Sequence, residues 1–197
     1  MTKFLIIGAG GHGKVVADTA DASGYSKIAF LDQTWPERIQ NGRWEIVGKP
    51  EKSDELMFCA VGNNNRRAHI FEEYQLNCAP VLVHPSAVVS PTASMGPGTL
   101  VVAGSIVNAD TVVGRGVILN TACSVDHDCI IGDFVHISPG ARLAGNVHIG
   151  AGTWIGIGAV VREGVRIGKN VIVAAGAAVV GDIKDGVRVG GIPAREF

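Results

Sequence analysis

From Val83 onward the chain divides into blocks of six residues without one insertion, as far as the block that opens at Val179. All seventeen first positions of these blocks are aliphatic or Met. The fifth positions, from Ala87 and Ala93 through Cys123, Cys129 and Val135 to Ala177 and Ile183, are all small or β-branched. A second period lies on the first: Gly96, Gly114, Gly132, Gly150 and Gly168 recur every eighteen residues, which is three blocks. Three sixes predict a triangular coil with a short strand on each side and a tight backbone at each corner, one corner repeatedly using Gly. First-position side chains then point inward and stack on their equivalents one coil away, and the small fifth-position residues fill the remaining space. No coil buries its own inner face, so the core comes only from stacking about five and a half coils. The fold this predicts is a left-handed parallel β-helix. Neither a right-handed β-helix nor an up-and-down barrel imposes a strict six-residue period.

Composition agrees and narrows the function classes. Glycines number 27 and aromatics make up only 6%, which argues against a helical bundle or an ordinary sandwich. The net charge is -1 with no basic run, so a nucleic-acid partner is excluded. Apolar stretches are short and broken by Gly or charge, with nothing resembling a membrane span or a signal peptide. Cys59, Cys78, Cys123 and Cys129 show no CxxC spacing. They read as buried thiols in a reducing cytosol, and a cytoplasmic location is expected.

The first eighty residues follow other rules. Lys3 to Ile7 reads as a buried strand, Lys14 to Ala22 as a helix, Ile28 to Leu31 as a strand ending at Asp32, and Leu56 to Val61 as a third strand. A polar helix is expected over Arg66 to Tyr74. This alternation predicts a small Rossmann-like βαβαβ domain. The loop Gly8-x-Gly10-x-x-Gly13, with Asp32 nineteen residues on, fits the dinucleotide fingerprint. Its glycines let backbone approach a phosphate at a helix N-terminus. Eighty residues hold only half of a dinucleotide fold, and no hydride-transfer domain follows, so the motif says phosphate or nucleotide without saying NAD. With the boundary near residue 80, residues 1–80 form this domain and residues 81–197 the β-helix with a C-terminal loop.

The chain as a whole resembles the bacterial sugar O-/N-acyltransferases of the sialic-acid O-acetyltransferase type, and within them the UDP-4-amino-sugar N-acetyltransferases of bacillosamine synthesis. The resemblance is carried by Gly10-Gly11-His12-Gly13, Phe30-Leu31-Asp32, Val61-Gly62-Asn63-Asn64, Leu119-Asn120-Thr121, His127-Asp128-Cys129, Val135-His136-Ile137-Ser138, Ala144-Gly145-Asn146 and Gly190-Gly191-Ile192-Pro193-Ala194. It implies acetyl-CoA as cosubstrate, no metal, and a homotrimer whose active sites lie between neighbouring prisms. It assigns Gly10, Gly11 and His12 to the diphosphate or sugar, Asp32 to the nucleoside, Gly62 and Asn63 to the same pocket, and Asn120 to the sugar. It assigns His136, Gly145, Ile157, Ala175, Gly176 and Arg195 to acetyl-CoA.

Taken alone, Asp126-His127-Asp128 at a block corner is a polar turn. The resemblance makes His127 the general base, with an imidazole suited to the task by a pKa near neutrality. Asp128 is its supporting carboxylate, and Asp126 is a second candidate. Cys123 and Cys129 fall at inward fifth positions, so neither is expected to act as a nucleophile and no acyl-enzyme is expected. The reaction implied is direct attack of a UDP-linked sugar's 4-amino group on the thioester. Alternatives are O-acetylation of sialic acid, N-acetylation of a GDP- or dTDP-linked amino sugar of the perosamine type, a zinc-dependent γ-type carbonic anhydrase using His127, His136 and His148, and a non-catalytic sugar-binding solenoid.

Overall fold

The computed structural model describes residues 3–197. The predicted prism is present. Strands of two residues recur every six and pair in parallel with strands eighteen residues away, as in Ile118↔His136 and Leu119↔Ile137. They stack into three faces. The first carries Leu82–Val83, Leu100–Val101, Ile118–Leu119, His136–Ile137, Trp154–Ile155 and Ile172–Val173. The second carries Val88–Val89, Ile106–Val107, Ser124–Val125, Arg142–Leu143, Val160–Val161 and Ala178–Val179. The third runs from Ser94–Met95 through Ile130–Ile131 to Arg166–Ile167. Block positions one and five form one continuous core, with Val101, Leu119, Cys123, Val125, Cys129 and Ile137 all fully enclosed.

Two different corner requirements explain the glycines. The fourth position of every block from Met95 to Val173 has a left-handed backbone, at Gly116, Gly140, Gly158 and Gly176 but also at Asp110, Ala122, Asp128, Phe134, Asn146 and Asn170. Gly96, Gly114, Gly132, Gly150 and Gly168 sit two residues earlier, at the corner between third and first faces, and have no such φ. They are required by coil spacing: a Cβ on Gly132 would lie 2.7 Å from the Ala151 nitrogen of the next coil.

The N-terminal sheet has strands β1 (Phe4–Ile7), β2 (Ile28–Leu31), β3 (Gln40–Asn41), β4 (Trp44–Gly48) and β5 (Leu56–Cys59), in the order β3-β4-β2-β1-β5. Helix α1 (Gly11–Ala22) follows β1 and helix α2 (Asn64–Glu73) follows β5. Helix α1 starts at Gly11, three residues before the sequence expectation, and the β3–β4 hairpin was not expected. Strand β5 stops at Cys59, short of Val61. Among the described residues, no helix is long and apolar enough to cross a membrane. Cys59, Cys123 and Cys129 are buried as expected, but Cys78, at the end of a short 3-10 turn, is exposed.

The domain packs on the first face. Outward-pointing Leu82, Leu100 and Ile118 merge with Phe4, Ile6, Val16, Ala20, Phe30 and Phe58 into one cluster. Helix α2 runs along the corner between third and first faces. Phe71 packs beside Gly98 and Gly116 and meets Phe134 edge-on at 5.2 Å. Arg67 bonds the carbonyls of Gly116 and Phe134, and the Asn64 amide bonds the carbonyl of Gly152 at 2.9 Å. The match is metrical. One helical turn rises about 5.4 Å and adjacent strands lie about 4.8 Å apart, so residues three and four apart on α2 meet successive coils.

The two corner rules predict different penalties. Gly140→Ala meets open space at a φ of +66° and should cost about 1–2 kcal/mol from backbone strain. Gly132→Ala must force two coils apart and should cost about 3 kcal/mol or more. Urea unfolding of the two variants checks the order, and equal losses would show that the two corner positions are not distinct.

Candidate active site

The expected site residues fall in three places. The first is the carboxyl end of the N-terminal sheet. Gly8 needs its left-handed φ of +106°, and a Cβ on Gly13 would press into Phe30 and the Gly8 carbonyl. Gly10 and Gly11 have neither need, since a Cβ added to either would meet nothing within 4 Å. Their emptiness leaves the start of α1, which has no side-chain cap, open to close approach by a ligand. The loop is braced from below. The Asp32 carboxylate accepts from the Ala9 nitrogen at 2.7 Å and from the Thr34 N–H and hydroxyl, while Arg38 donates to the Ala9 carbonyl at 2.7 Å. Beside it lies a cleft of about 450 Å³ lined by Gly8, Asp32, Thr34, Arg66, His69 and Tyr74 among others. This is where an open α/β sheet binds ligands, beyond the strand ends where the order reverses. Asn63 caps α2 through the Arg66 nitrogen, and the Gly62 carbonyl accepts from Arg67.

The second place is the first face, at the edge of the domain contact. His12 reaches from α1 toward His136, with ring centroids 6.4 Å apart. Trp154, one coil on, stacks on His136 at 5.7 Å and 6°, and its indole donates to Ser138 Oγ at 2.7 Å. Asn120 Nδ2 lies 3.1 Å from His136 Nε2. The Thr121 N–H and hydroxyl both donate to Asn120 Oδ1, so its amide nitrogen must face the imidazole. His136 therefore accepts at Nε2 and carries its proton on Nδ1. That Nδ1 and the Nε2 of His12 are buried without partners. His136, expected with acetyl-CoA, thus groups with His12 and Asn120 of the sugar set. Burial, followed by the charge of Arg67, lowers His12 to about 4. Burial, then Arg67 and then His12, lowers His136 to about 3, against a smaller pull from the nearby Gly62 carbonyl, which does not form a regular hydrogen bond with Nδ1.

The third place is the corner between second and third faces. His127 Nδ1 is 2.8 Å from Asp128 Oδ2. Asp126 is occupied elsewhere, its Oδ1 accepting from the His127 N–H and from Asn108 Nδ2, both at 2.9 Å. The His127 ring lies over Gly145, where any Cβ would come 2.6 Å from Nε2. Gly145, expected in the cofactor set, is the floor of the His127 site. The hydrogen bond that His127 donates to Asp128, and then the charges of Asp126 and Asp128, raise the exposed imidazole above its ordinary value against slight desolvation. Ile157, Ala175 and Gly176 line a different corner, between first and second faces, where Gly176 donates to the Ile157 carbonyl. Arg195 lies beyond them, on a cleft of about 370 Å³ with Lys184, Asp182 and Val189. No contact within the chain joins His127 to His136.

Two residues of the site escape sequence reasoning. The sequence alone gives Trp154 no role, although its block position, outward on the face of His136 and eighteen residues on, marks it as a neighbour. Arg67 hides in a helix expected to be polar.

Residues 3–74 match the PglD N-terminal domain family and residues 146–181 match the bacterial transferase hexapeptide family. The acetyltransferase domain of PglB from Neisseria gonorrhoeae FA1090, solved in complex with acetyl coenzyme A, is 44% identical, with a TM-score of 0.93 over 100% of this chain and 99% of that one. This chain belongs to the hexapeptide-repeat sugar acetyltransferases. PerB from Caulobacter crescentus, a family member solved with CoA and GDP-perosamine, is 35% identical, with a TM-score of 0.91 over 100% of this chain and 98% of that one. A UDP-N-acetylbacillosamine N-acetyltransferase from Bacillus subtilis (strain 168) is 37% identical over 113 residues, a match covering 52% of each chain. The chain thus matches about half the length of that curated relative.

The buried histidines make the stability of this acetyltransferase acid-sensitive. Both bind fewer protons folded than unfolded, so their stabilisation is complete above 6.5 and is lost as pH falls toward about 4 and about 3. The urea midpoint should fall between about pH 7 and about pH 4.5, and less steeply in His12→Asn or His136→Asn. A midpoint that moves equally in all three proteins would place the acid sensitivity elsewhere.

Proposed function

We propose that this chain transfers the acetyl group of acetyl-CoA to the 4-amino group of a UDP-linked amino sugar, in the cytoplasm. The observation that carries the reading is the His127 site: an imidazole whose Nδ1 is held by Asp128 and whose Nε2 is left free above the backbone of Gly145. With Nδ1–H directed at a carboxylate, Nε2 is the basic atom. The neutral amine attacks with its lone pair, and Nε2 removes the proton that its nitrogen must lose as it bonds to the thioester carbon. The Gly145 N–H, which makes no hydrogen bond among the described residues, is the donor suited to the oxygen that gains charge. Collapse breaks the carbon–sulfur bond, and the imidazolium returns its proton to the departing thiolate. Cys123 and Cys129 are sealed in the core, consistent with direct transfer.

The N-terminal cleft takes the nucleoside beside Asp32, the open start of α1 takes the diphosphate at Gly10 and Gly11, and Gly62, Asn63, His12 and Asn120 surround the sugar. The sugar's amine must then reach a His127 that no contact in its own chain provides. A trimer resolves this by setting the His127 corner of one prism against the first face of another. Outward aliphatics on the second and third faces support such packing, with Ile106 38%, Val112 49%, Ile130 48% and Val160 44% exposed. Acetyl-CoA would lie along that seam past Ile157, Ala175 and Gly176 to Arg195. The anhydrase alternative fits poorly, because His136 is covered by its own N-terminal domain and is 8% exposed. A GDP-linked acceptor is the second reading, favoured by the PerB complex.

Release of free thiol, followed with UDP-, GDP- and dTDP-linked 4-amino sugars and with hydroxyl-only acceptors, tests the proposal. Turnover should be fastest with the UDP-linked amine, and turnover confined to hydroxyl acceptors would overturn it. His127→Ala should lose about 100-fold or more in kcat/KM. The acid limb of wild-type kcat/KM should lie above the ordinary histidine value, since Asp128 raises His127, and should move to lower pH in Asp128→Asn. An acid limb unmoved by that substitution would break the link between Asp128 and the base.

A further inference from the structure

Arg67 is the largest fully buried side chain among the described residues. Its guanidinium donates to the carbonyls of Gly116 at 2.7 Å, Val61 and Gly62 at 3.0 Å and Phe134 at 2.8 Å, and to Asn64 Oδ1 at 2.9 Å. No carboxylate is among these partners. A buried cation left to neutral dipoles is expensive unless its donors are all matched. Docking alone does not need the charge, since Phe71, Leu82, Leu100 and Ile118 already seal the same contact with apolar surface.

The field falls on the acceptor pocket. Two of the four carbonyls that Arg67 fixes, Val61 and Gly62, lie in the turn that follows β5, where the pocket begins. The other two are corner residues of successive coils. One guanidinium therefore sets the height of the N-terminal domain against the face that carries His136. His12 and His136 close the pocket from either side of the contact, and each presents a buried nitrogen without a partner. The titratable or charged groups facing these imidazoles are Arg67 and the imidazoles themselves. Asn120, Ser138 and Trp154 complete the surround and do not titrate. The Cys59 thiol behind Arg67 is held protonated by burial, up to about 11.

We infer that Arg67 is a positioning residue for the acceptor pocket, setting the spacing and the charge of the His12–His136 wall while touching no substrate itself. The two unpartnered nitrogens then remain, one on each side, for the polar groups of the sugar. This rests on the reading of that wall as the acceptor site.

Arg67→Met, Arg67→Lys and Phe71→Leu in the full chain test it, read by imidazole proton NMR titration and by separate KM and kcat values. The titration needs no turnover, so its failure is distinct from failure of the proposed activity. In the wild type both imidazoles should stay neutral down to about pH 5. Arg67→Met should bring at least one above that and raise the acceptor KM about tenfold or more, with acetyl-CoA KM within about twofold. Arg67→Lys loses the planar fork that fixes the four carbonyls, so acceptor KM should still rise. Phe71→Leu, which loosens the same helix, should lower the melting temperature and leave the titrations in place. Unchanged titrations in Arg67→Met, or the same KM rise in Phe71→Leu, would reduce Arg67 to a structural brace. Should Arg67→Met fail to fold, an Arg67→Lys protein with wild-type acceptor KM overturns the inference alone.

Discussion

Everything outside the prism depends on the hydrogen-bonded register between coils. Each strand pair is only two residues long, so no single rung is stable, and the ladder holds because its period stays at eighteen from Leu82 to Val179, shortening only in the last coil, where Ile172 pairs with Arg188. That register puts Trp154 on His136 and Gly145 beneath His127. It also spaces the corner carbonyls of Gly116, Phe134 and Gly152 so that one helix can bond to all three. A one-residue shift would turn His136 into the core and expose Ile137.

The domain contact divides the first face in two. Its lower outward column, Leu82, Leu100 and Ile118, is aliphatic and buried, whereas the next two rungs carry His136 and Trp154. Apolar burial therefore anchors the N-terminal domain, and polar chemistry begins where that burial ends. The second and third faces hold the opposite arrangement, with the basic site on an exposed corner whose floor is backbone. The two halves use their histidines in opposite ways. Burial and a nearby cation keep His12 and His136 neutral, while an exposed carboxylate makes His127 more basic.

Much of this was legible in the sequence because repetition averages out local ambiguity. The inward positions, the enclosed Cys123 and Cys129, and the corner place of His127 all follow from counting by six. The reason for the eighteen-residue glycines was not legible. A tight corner and a close coil give the same letter, and only the backbone separates Gly132 from Gly140. The hairpin β3–β4 escapes notice although Asn41-Gly42 is a strong turn signal, since its strands are short and sit at the sheet edge. Arg67 was invisible for a deeper cause: a helix reading Asn-Asn-Arg-Arg-Ala-His looks solvated until a partner surface of carbonyls is known. The split between His127 and His136 could be read from their nine-residue separation, but the tautomer of His136 needed the orientation of Asn120.

In the proposed trimer, the base and the acceptor pocket of one working site belong to different chains. Subunit mixing tests it most directly. His127→Ala and His136→Asn chains, each first assayed as a pure assembly and expected to be inactive, would be unfolded together, refolded together and assayed for acetyl transfer. The account predicts recovered activity in the mixture, because some seams then join an intact His127 to an intact His136. A mixture as inactive as its parents, with mass measurements showing that the chains had co-assembled, would contradict it.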